Sequence, residues 1–442
     1  MTTSKLAQKW KLFLSVVALL FTHAAVAQHI PGPVQPKSVL LLNGKAHIGN
    51  GAVISPAAIG FKNGKITMVQ NAQTTHVDRS LFDTIIDITG KEIYPAFILP
   101  NTPLGLVEID AVRATVDQAE TGDFNPNARS IIAYNVDSKV TQTVRTNGVL
   151  VGQITPQGGY ITGSSSIVHF DAWNWEDAVY KKDDGIHLNW PSVFNFGGWW
   201  AEPGTTTKSD KYMENKNLIE SFFKQAKAYH EMGTQAEKDL RMEAMKGVFT
   251  GSKTLFINAN YAVEITDVIR FKKEFSIPKV VIIGGYDSWL IADLLVDHKI
   301  AVILRRLHTL PIREDDPIDL PYRLPALLKE KGVLFCLGYD GDMEAMGSRN
   351  LPFIAGTAMA YGLNEEDAIA CVSANTAKIL GVDSMLGTLE IGKDATLFVS
   401  EGNALDMRTN KLILAYIQGR KIDLINDQER LYNKYNQKYF GN

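Results

Sequence analysis

The chain has 442 residues, a formal net charge of −3 and only two cysteines. A protein grips nucleic acid by neutralising phosphates with Lys and Arg, so the acidic balance argues against a nucleic-acid partner. Two cysteines exclude a disulfide framework. Cys336 and Cys371 stand far apart in apolar or helical contexts and are expected as buried free thiols, with a disulfide in an oxidising compartment as the alternative.

At the start of the chain, Lys5, Lys9 and Lys11 precede the apolar run Leu12 to Phe21, and Ala25-Val26-Ala27 follows. These match the three regions of a secretory leader, and the run is too short to span a bilayer. Residues 1–27 are therefore expected to be removed, leaving a mature chain that starts at Gln28 with a net charge of −6. No Cys follows Ala27 to take a lipid anchor, and no later segment is apolar for long enough to cross a membrane. The expected location is periplasmic or secreted.

From Ser38 to Ile93 the sequence reads as short strands: Val39 to Leu42, Ala58 to Phe61 and Ile66 to Val69, with Asn43-Gly44 and Asn63-Gly64 as hairpin turns. The far end has the same character, with strands at Thr396 to Val399 and Leu412 to Ile417. Residues 28–93 and 388–442 are accordingly expected to form one small β-sandwich domain around a central insertion, 94–387. Asp427 to Tyr439 is expected as a surface helix.

The insertion offers eight candidate strands: Ile93 to Leu99, Val149 to Ile154, Ser166 to Phe170, Ile186 to Trp190, Thr254 to Ala259, Lys279 to Ile283, Ala301 to Leu304 and Val333 to Leu337. Helix-like runs separate most of them, among them Asp137 to Arg145, Leu218 to Met232, Ala262 to Phe275 and Leu324 to Lys331. Eight strands alternating with helices predict a parallel α/β architecture, a (β/α)8 TIM-type barrel, with an open doubly wound sheet as the competing arrangement.

Three motifs narrow the fold further. Tyr94-Pro95-Ala96-Phe97-Ile98-Leu99-Pro100-Asn101-Thr102-Pro103 resembles the first barrel strand of the amidohydrolase superfamily, especially its imidazolonepropionase-like members. Ala374-Asn375-Thr376-Ala377-Lys378-Ile379-Leu380-Gly381 and the stretch from Leu386 to Leu397 are similar to that family's late helix and return strand. The resemblance implies a hydrolase of non-peptide amide or cyclic-amide C–N bonds. It also implies a divalent metal such as zinc, which lowers the pKa of a bound water and polarises the carbonyl.

Family ligands come from the strand ends, and here the positions they imply are altered. The strand 1 histidines fall on Asn101 and Pro103, the strand 5 histidine on Asn258 and the strand 6 histidine on Gly284. No strand 4 lysine is found. Proline has no donor side-chain atom and a neutral amide is a poor zinc ligand. Asp340 alone keeps its place on strand 8, and a single carboxylate does not hold the family's metal; no metal cofactor is expected.

Asp340 remains a candidate general base, with His308 assisting. Asn101, Asn258, His169 and Tyr339 are the expected substrate-binding residues. His169 ends strand 3, and His308 opens a segment similar to a strand 7 loop of the family, so both are placed at the barrel mouth; with Asp340 they are also an alternative metal set. His47, His76, His230 and His298 are expected as surface or capping residues. Gly163-Ser164-Ser165-Ser166 lacks a nucleophile elbow and reads as a serine-rich turn. Trp173-Asn174-Trp175 and Trp199-Trp200 are expected on loops around the mouth. The competing function is an inactive periplasmic binding or scaffold protein on the same barrel.

Overall fold

The computed structural model describes residues 30–199, 202–233, 237–341 and 343–441. The leader-like segment 1–27 lies outside the described residues, as does Trp200. The chain divides into Met1–Pro31 and Gly32–Asn442, and the architecture below is that of the second unit.

Alternating and apolar runs in the first part of this unit form β1 (Val39–His47), β2 (Val53–Lys62), β3 (Lys65–Asn71), β4 (Thr84–Asp87) and β5 (Glu92–Pro95). The central strands are β6 (Phe97–Thr102), β7 (Val149–Ile154), β8 (Ile161–His169) and β9 (Val179–Asn189), then β12 (Thr254–Ala259), β13 (Val280–Gly284), β14 (Ala301–Leu304) and β15 (Phe335–Leu337). Between β9 and β12 a separate hairpin holds β10 (Phe194–Trp199) and β11 (Glu202–Lys208). The last strands are β16 (Leu397–Ser400), β17 (Leu412–Ile417) and β18 (Arg420–Lys421).

Strands from both ends of the chain join in a single sheet, in the order β18-β17-β16-β5-β1-β2-β3 with β4 paired to β1. The seam is the antiparallel pair β5–β16. Asn63-Gly64 forms the expected turn between β2 and β3, whereas Asn43-Gly44 does not end a strand. Asn43 takes φ 70° and the β1–β2 register slips there, a bulge inside one long strand.

The eight central strands pair in chain order, β6-β7-β8-β9-β12-β13-β14-β15, and the end of β15 comes close to β6. A Cβ placed on Gly338, just past β15, would lie 3.7 Å from Pro100 of β6. The sheet is a nearly closed barrel rather than an open doubly wound sheet. It is not parallel throughout: β8 runs antiparallel to both β7 and β9. Only residues 155–160, including Pro156, Gly158 and Gly159, connect β7 to β8. A parallel crossover needs about a dozen residues or more, so a link of this length folds as a hairpin. Gly163 to Ser166 accordingly lies inside β8 and is not a turn.

One end of the barrel interior is apolar. Ile98, Val151, Ile167, Phe256, Val281, Ile303 and Cys336 pack together, and Ala377, Ile379 and Leu380 of the helix Ala374–Leu380 pack against them. Cys336 and Cys371 are free and buried, as expected. No described helix is long and apolar enough to cross a membrane. The C-terminal helix spans Asp427–Phe440, with Asn426 and Glu429 forming a capping box.

His47 departs from its expected surface position. It ends β1 fully buried, stacked on Tyr94 at 4.5 Å. Its Nδ1 lies 2.6 Å from Glu366 Oε1, and Nε2 lies 3.4 Å from Glu92. Burial alone would lower the imidazole pKa, but the hydrogen bonds to Glu366 and Glu92 outweigh it and hold the value above 6.5. A raised folded-state pKa gives stability that is full below about pH 6.5 and is lost as pH rises through the folded value. Glu366→Gln should therefore cost about 2 kcal/mol at pH 6, as for a hydrogen bond to a charged group. Denaturant unfolding across the pH range should show that difference shrinking in alkali; a pH-independent difference would contradict the assignment.

Candidate functional site

Barrel strands that run in the same direction deliver their C-terminal ends to one rim, where side chains from distant sequence positions meet. Here that rim bounds a cavity of about 340 Å³. Asn101 of β6, Asn189 at the end of β9, Asn258 of β12, Arg305 just after β14 and Asp340 just after β15 all line it. Because β8 runs the other way, it presents its start to the rim, and Thr162 lines the cavity. Asn101, Asn258 and Asp340, each assigned to its strand from a local motif, converge as that assignment requires.

The charges sit together. Arg305 Nε lies 2.9 Å from Asp340 Oδ2. Asp340 Oδ1 is buried without a hydrogen-bond partner. Burial pushes the Asp340 carboxyl above the usual range, against the opposing pull of Arg305 and nearby backbone N–H groups. Glu344 is also raised by burial, although Gln157 donates to one of its oxygens and the Gly341 N–H to the other at 3.2 Å. Asn258 Nδ2 donates to Asn189 Oδ1 at 2.8 Å, which fixes both amides. Asn101 holds a left-handed φ of 49°, with its N–H donating to Gln153 Oε1 at 3.1 Å. A non-glycine residue in that region costs energy and persists only where its surroundings impose it.

Three expected site residues lie elsewhere. His169 is at the opposite end of the barrel, because β8 is antiparallel and carries its C-terminus away from the rim. There its Nε2 lies 3.0 Å from the Asp177 carbonyl, and burial, with Arg420 nearby, lowers its pKa to about 4. That end is held by Arg145, whose Nη1 lies 2.6 Å from Asp171 Oδ1, and by Arg420, which donates to the Asp171 carbonyl. Trp173 and the helix Trp175–Ala178 follow β8 and so share this end, not the mouth.

His308 has turned outward to the helices: its Nε2 lies 2.7 Å from Thr357 Oγ1, and its ring meets Tyr322 edge-on. Tyr339 alternates with Asp340, so its ring leaves the cavity and lies over Gly347. Glu108 and Arg113 bond to Asn135 and to the Val116 carbonyl respectively.

Arg305, Glu344 and His187, none of them among the expected site residues, also line the cavity. Arg305 could have been found as the residue one step past the last apolar position of β14. His187 lay hidden inside a candidate strand.

The altered positions do not fit the divalent metal that the resemblance implies. Among the described residues, the one group of three His, Cys, Asp or Glu side chains close enough to share an ion is His47, Glu365 and Glu366, which is not in the cavity. The Gly284 backbone is itself unsuited to a histidine: its φ is 99°, and a Cβ there would lie 2.4 Å from Asn260 Oδ1. Asp340, the remaining family position, is already paired with Arg305.

A nearly closed eight-stranded barrel with a polar cavity at its rim defines the class as a TIM-type barrel with its candidate site at the strand ends. Comparison with known proteins shows what the chain is similar to. The Amidohydrolase family profile matches residues 321–424. An imidazolonepropionase of Symbiobacterium thermophilum is 31% identical over 83 residues, 19% of this chain and 20% of that protein, so the match spans about a fifth of that relative's length. The crystal structure of an amidohydrolase from Thermotoga maritima superposes with a TM-score of 0.76 at 25% identity, covering 87% of this chain and 99% of that one. A zinc-bound adenosine deaminase from Xanthomonas campestris, at 13% identity and a TM-score of 0.52 over 92% and 99% of the two chains, shares the fold. Residues 321–424 thus match the amidohydrolase family, the fold as a whole is similar to that of a solved amidohydrolase, and the likeness to an imidazolonepropionase is confined to 83 residues.

The geometry makes Arg305 the group that keeps Asp340 ionisable. A neighbouring Arg typically lowers a carboxylate pKa by about one to three units. Arg305→Gln should raise the Asp340 value by at least about one unit on that scale, read from the carboxyl-carbon resonance in an NMR titration. An unmoved Asp340 titration would contradict the pairing.

Proposed function

We propose that this cavity hydrolyses an amide or cyclic-amide C–N bond of a small molecule without a resident metal. The observation that carries the proposal is the meeting of Asp340 and Arg305 among Asn101 and Asn258 at the barrel rim, with Asp340 Oδ1 unpartnered. The size suits a compact ligand, being near the lower end of small-molecule pockets.

Asp340 Oδ1 is the base: it takes a proton from water as the oxygen attacks the carbonyl carbon. Its raised pKa brings it nearer to neutrality, where a general base works best. The Arg305 guanidinium faces the charge that develops on the carbonyl oxygen, a stabilisation that counts most where water is excluded. The proton held by Asp340 then passes to the leaving nitrogen as the C–N bond breaks. The names of the imidazolonepropionase relative and of a structurally similar Xaa-Pro dipeptidase support an amide-type substrate. Residues 1–27, read as a leader, would place this chemistry outside the cytoplasm, and the strands of both chain ends would serve as a sandwich-like flank to the barrel.

A second reading, ligand binding without turnover, is favoured by one observation: Arg305 already occupies Asp340 Oδ2. Asp340→Asn separates the two. Loss of general-base assistance should lower turnover of lactam or dipeptide-like substrates by roughly 10² to 10⁴ with the fold intact, and chelators should leave the wild-type rate unchanged. If wild type turns over no such substrate and the variant only shifts ligand affinity, the binding reading replaces hydrolysis.

A further inference from the structure

Below the cavity rim lies a chain of polar groups that the hydrolytic reading does not use. Gln153 of β7, Ser165 of β8, and Asp184 and His187 of β9 are all buried in the barrel. Ser165 Oγ donates to Asp184 Oδ1 at 2.7 Å, and His187 Nε2 lies 2.9 Å from the same Oγ. Gln153 Nε2 donates to Asp184 Oδ2 at 2.8 Å and to Ser165 Oγ at 3.2 Å. The ring of His187 is fixed by stacking on Phe256 at 4.7 Å. Its other nitrogen, Nδ1, is buried without a hydrogen-bond partner, and the residue lines the cavity.

The hydrogen-bond inventory sets the proton positions. The Asn101 backbone N–H can only donate, so Gln153 Oε1 is the acceptor and Nε2 the donor. Asp184 as a carboxylate then receives one N–H from Gln153 and the O–H of Ser165. Ser165 has spent its single proton, so it accepts from His187. The ring is therefore the Nε2–H tautomer, with a lone pair on Nδ1. If Asp184 instead carries a proton on Oδ1, it donates to Ser165, Ser165 donates to His187 Nε2, and the ring becomes the Nδ1–H tautomer. Both arrangements satisfy the same contacts.

We propose that Asp184, Ser165 and His187 form a proton relay that lets His187 Nδ1 act in the cavity as either acceptor or donor toward a ligand N–H or a bound water. In the forward direction the proton of the water or ligand bonds to Nδ1, the Nε2 proton moves to Ser165 Oγ, and the Ser165 proton moves to Asp184 Oδ1. One proton enters and Asp184 becomes neutral; no imidazolium forms. The reverse sequence returns the proton, for example to a leaving nitrogen. Burial favours this concerted path: it lowers the His187 pKa to about 3 and raises that of Asp184 despite the Ser165 and Gln153 hydrogen bonds. A charged ring is thus costly at this depth and a protonated carboxyl is not. Asp184 and Ser165 act through His187 and are positioning residues.

The relay extends the hydrolytic reading of the cavity, and its test does not use turnover. Nitrogen-15 NMR of the full chain with labelled histidine should show His187 neutral at pH 5 in wild type, with Nε2 protonated and Nδ1 bare. In Asp184→Asn, the amide oxygen keeps the Gln153 hydrogen bond and the amide N–H₂ faces Ser165. Ser165 must then donate to Nε2, and the protonated and bare signals should exchange nitrogens. Ser165→Ala should leave the ring tautomer insensitive to the Asp184 change. An Nδ1–H or charged ring in wild type, or the same tautomer in wild type and Asp184→Asn, would overturn the relay. Tautomer exchange in a chain that hydrolyses no amide would sustain the relay while the hydrolytic reading failed.

Discussion

A carboxylate set into the mouth of a protein barrel is partly removed from water, and it stays charged only if something nearby balances it. In this chain the balancing group for Asp340 is the guanidinium of Arg305, at 2.9 Å. Where imidazoles and a divalent ion would share such a carboxylate, the rim carries the amides Asn101 and Asn258, a proline and a glycine. An amide brings neither charge nor a strong metal donor. In the reading proposed above, the positive charge beside Asp340 is that of Arg305, a fixed organic cation. Arg305 also differs from an ion in what it offers a ligand, because its planar donors favour carbonyl and carboxylate oxygens with defined direction.

The fold supports this through its one irregular strand. Reversing β8 brings Thr162 to the cavity and sends His169 to the far end, where Arg145 and Arg420 close on Asp171. It also draws Ser165 into the interior, one position from the β9 pairing that carries Asp184 and His187. The barrel interior is thus layered. Apolar side chains fill the end that packs on Ala374–Leu380, a hydrogen-bonded polar layer lies above them, and the charged groups sit at the rim. Buried polar groups of this kind favour full hydrogen bonding, and in this layer His187 Nδ1 is left without a partner.

Much of this was legible in the sequence. The eight central strands occur in the order read from their apolar runs, because strands buried on both faces leave that signature. The first-strand motif around Asn101 and the Gly338-Tyr339-Asp340 stretch placed two rim residues, and Asn258 followed from its own strand. Strand direction was not read, although the shortness of the link from Ile154 to Ile161 contains it: no helix fits there. That omission misplaced His169 and Trp173 together. The run Ile161 to His169 was split because serines suggest turns, whereas inside a barrel each serine can be satisfied by a neighbouring strand. His308 and Tyr339 follow their strands by four and two residues, and a few residues past a strand end are enough to rotate a side chain off the cavity. The pairing of His47 with Glu366 joins residues more than three hundred positions apart and leaves no local trace.

The central claim is that fixed protein charge, and not a bound ion, completes the Asp340 site. Elemental analysis of the purified, dialysed full chain tests it most directly. The account predicts no stoichiometric zinc, iron or manganese attributable to the rim, and the same metal content in wild type and Asp340→Ala. About one tightly held transition metal per chain that is lost in Asp340→Ala would contradict it.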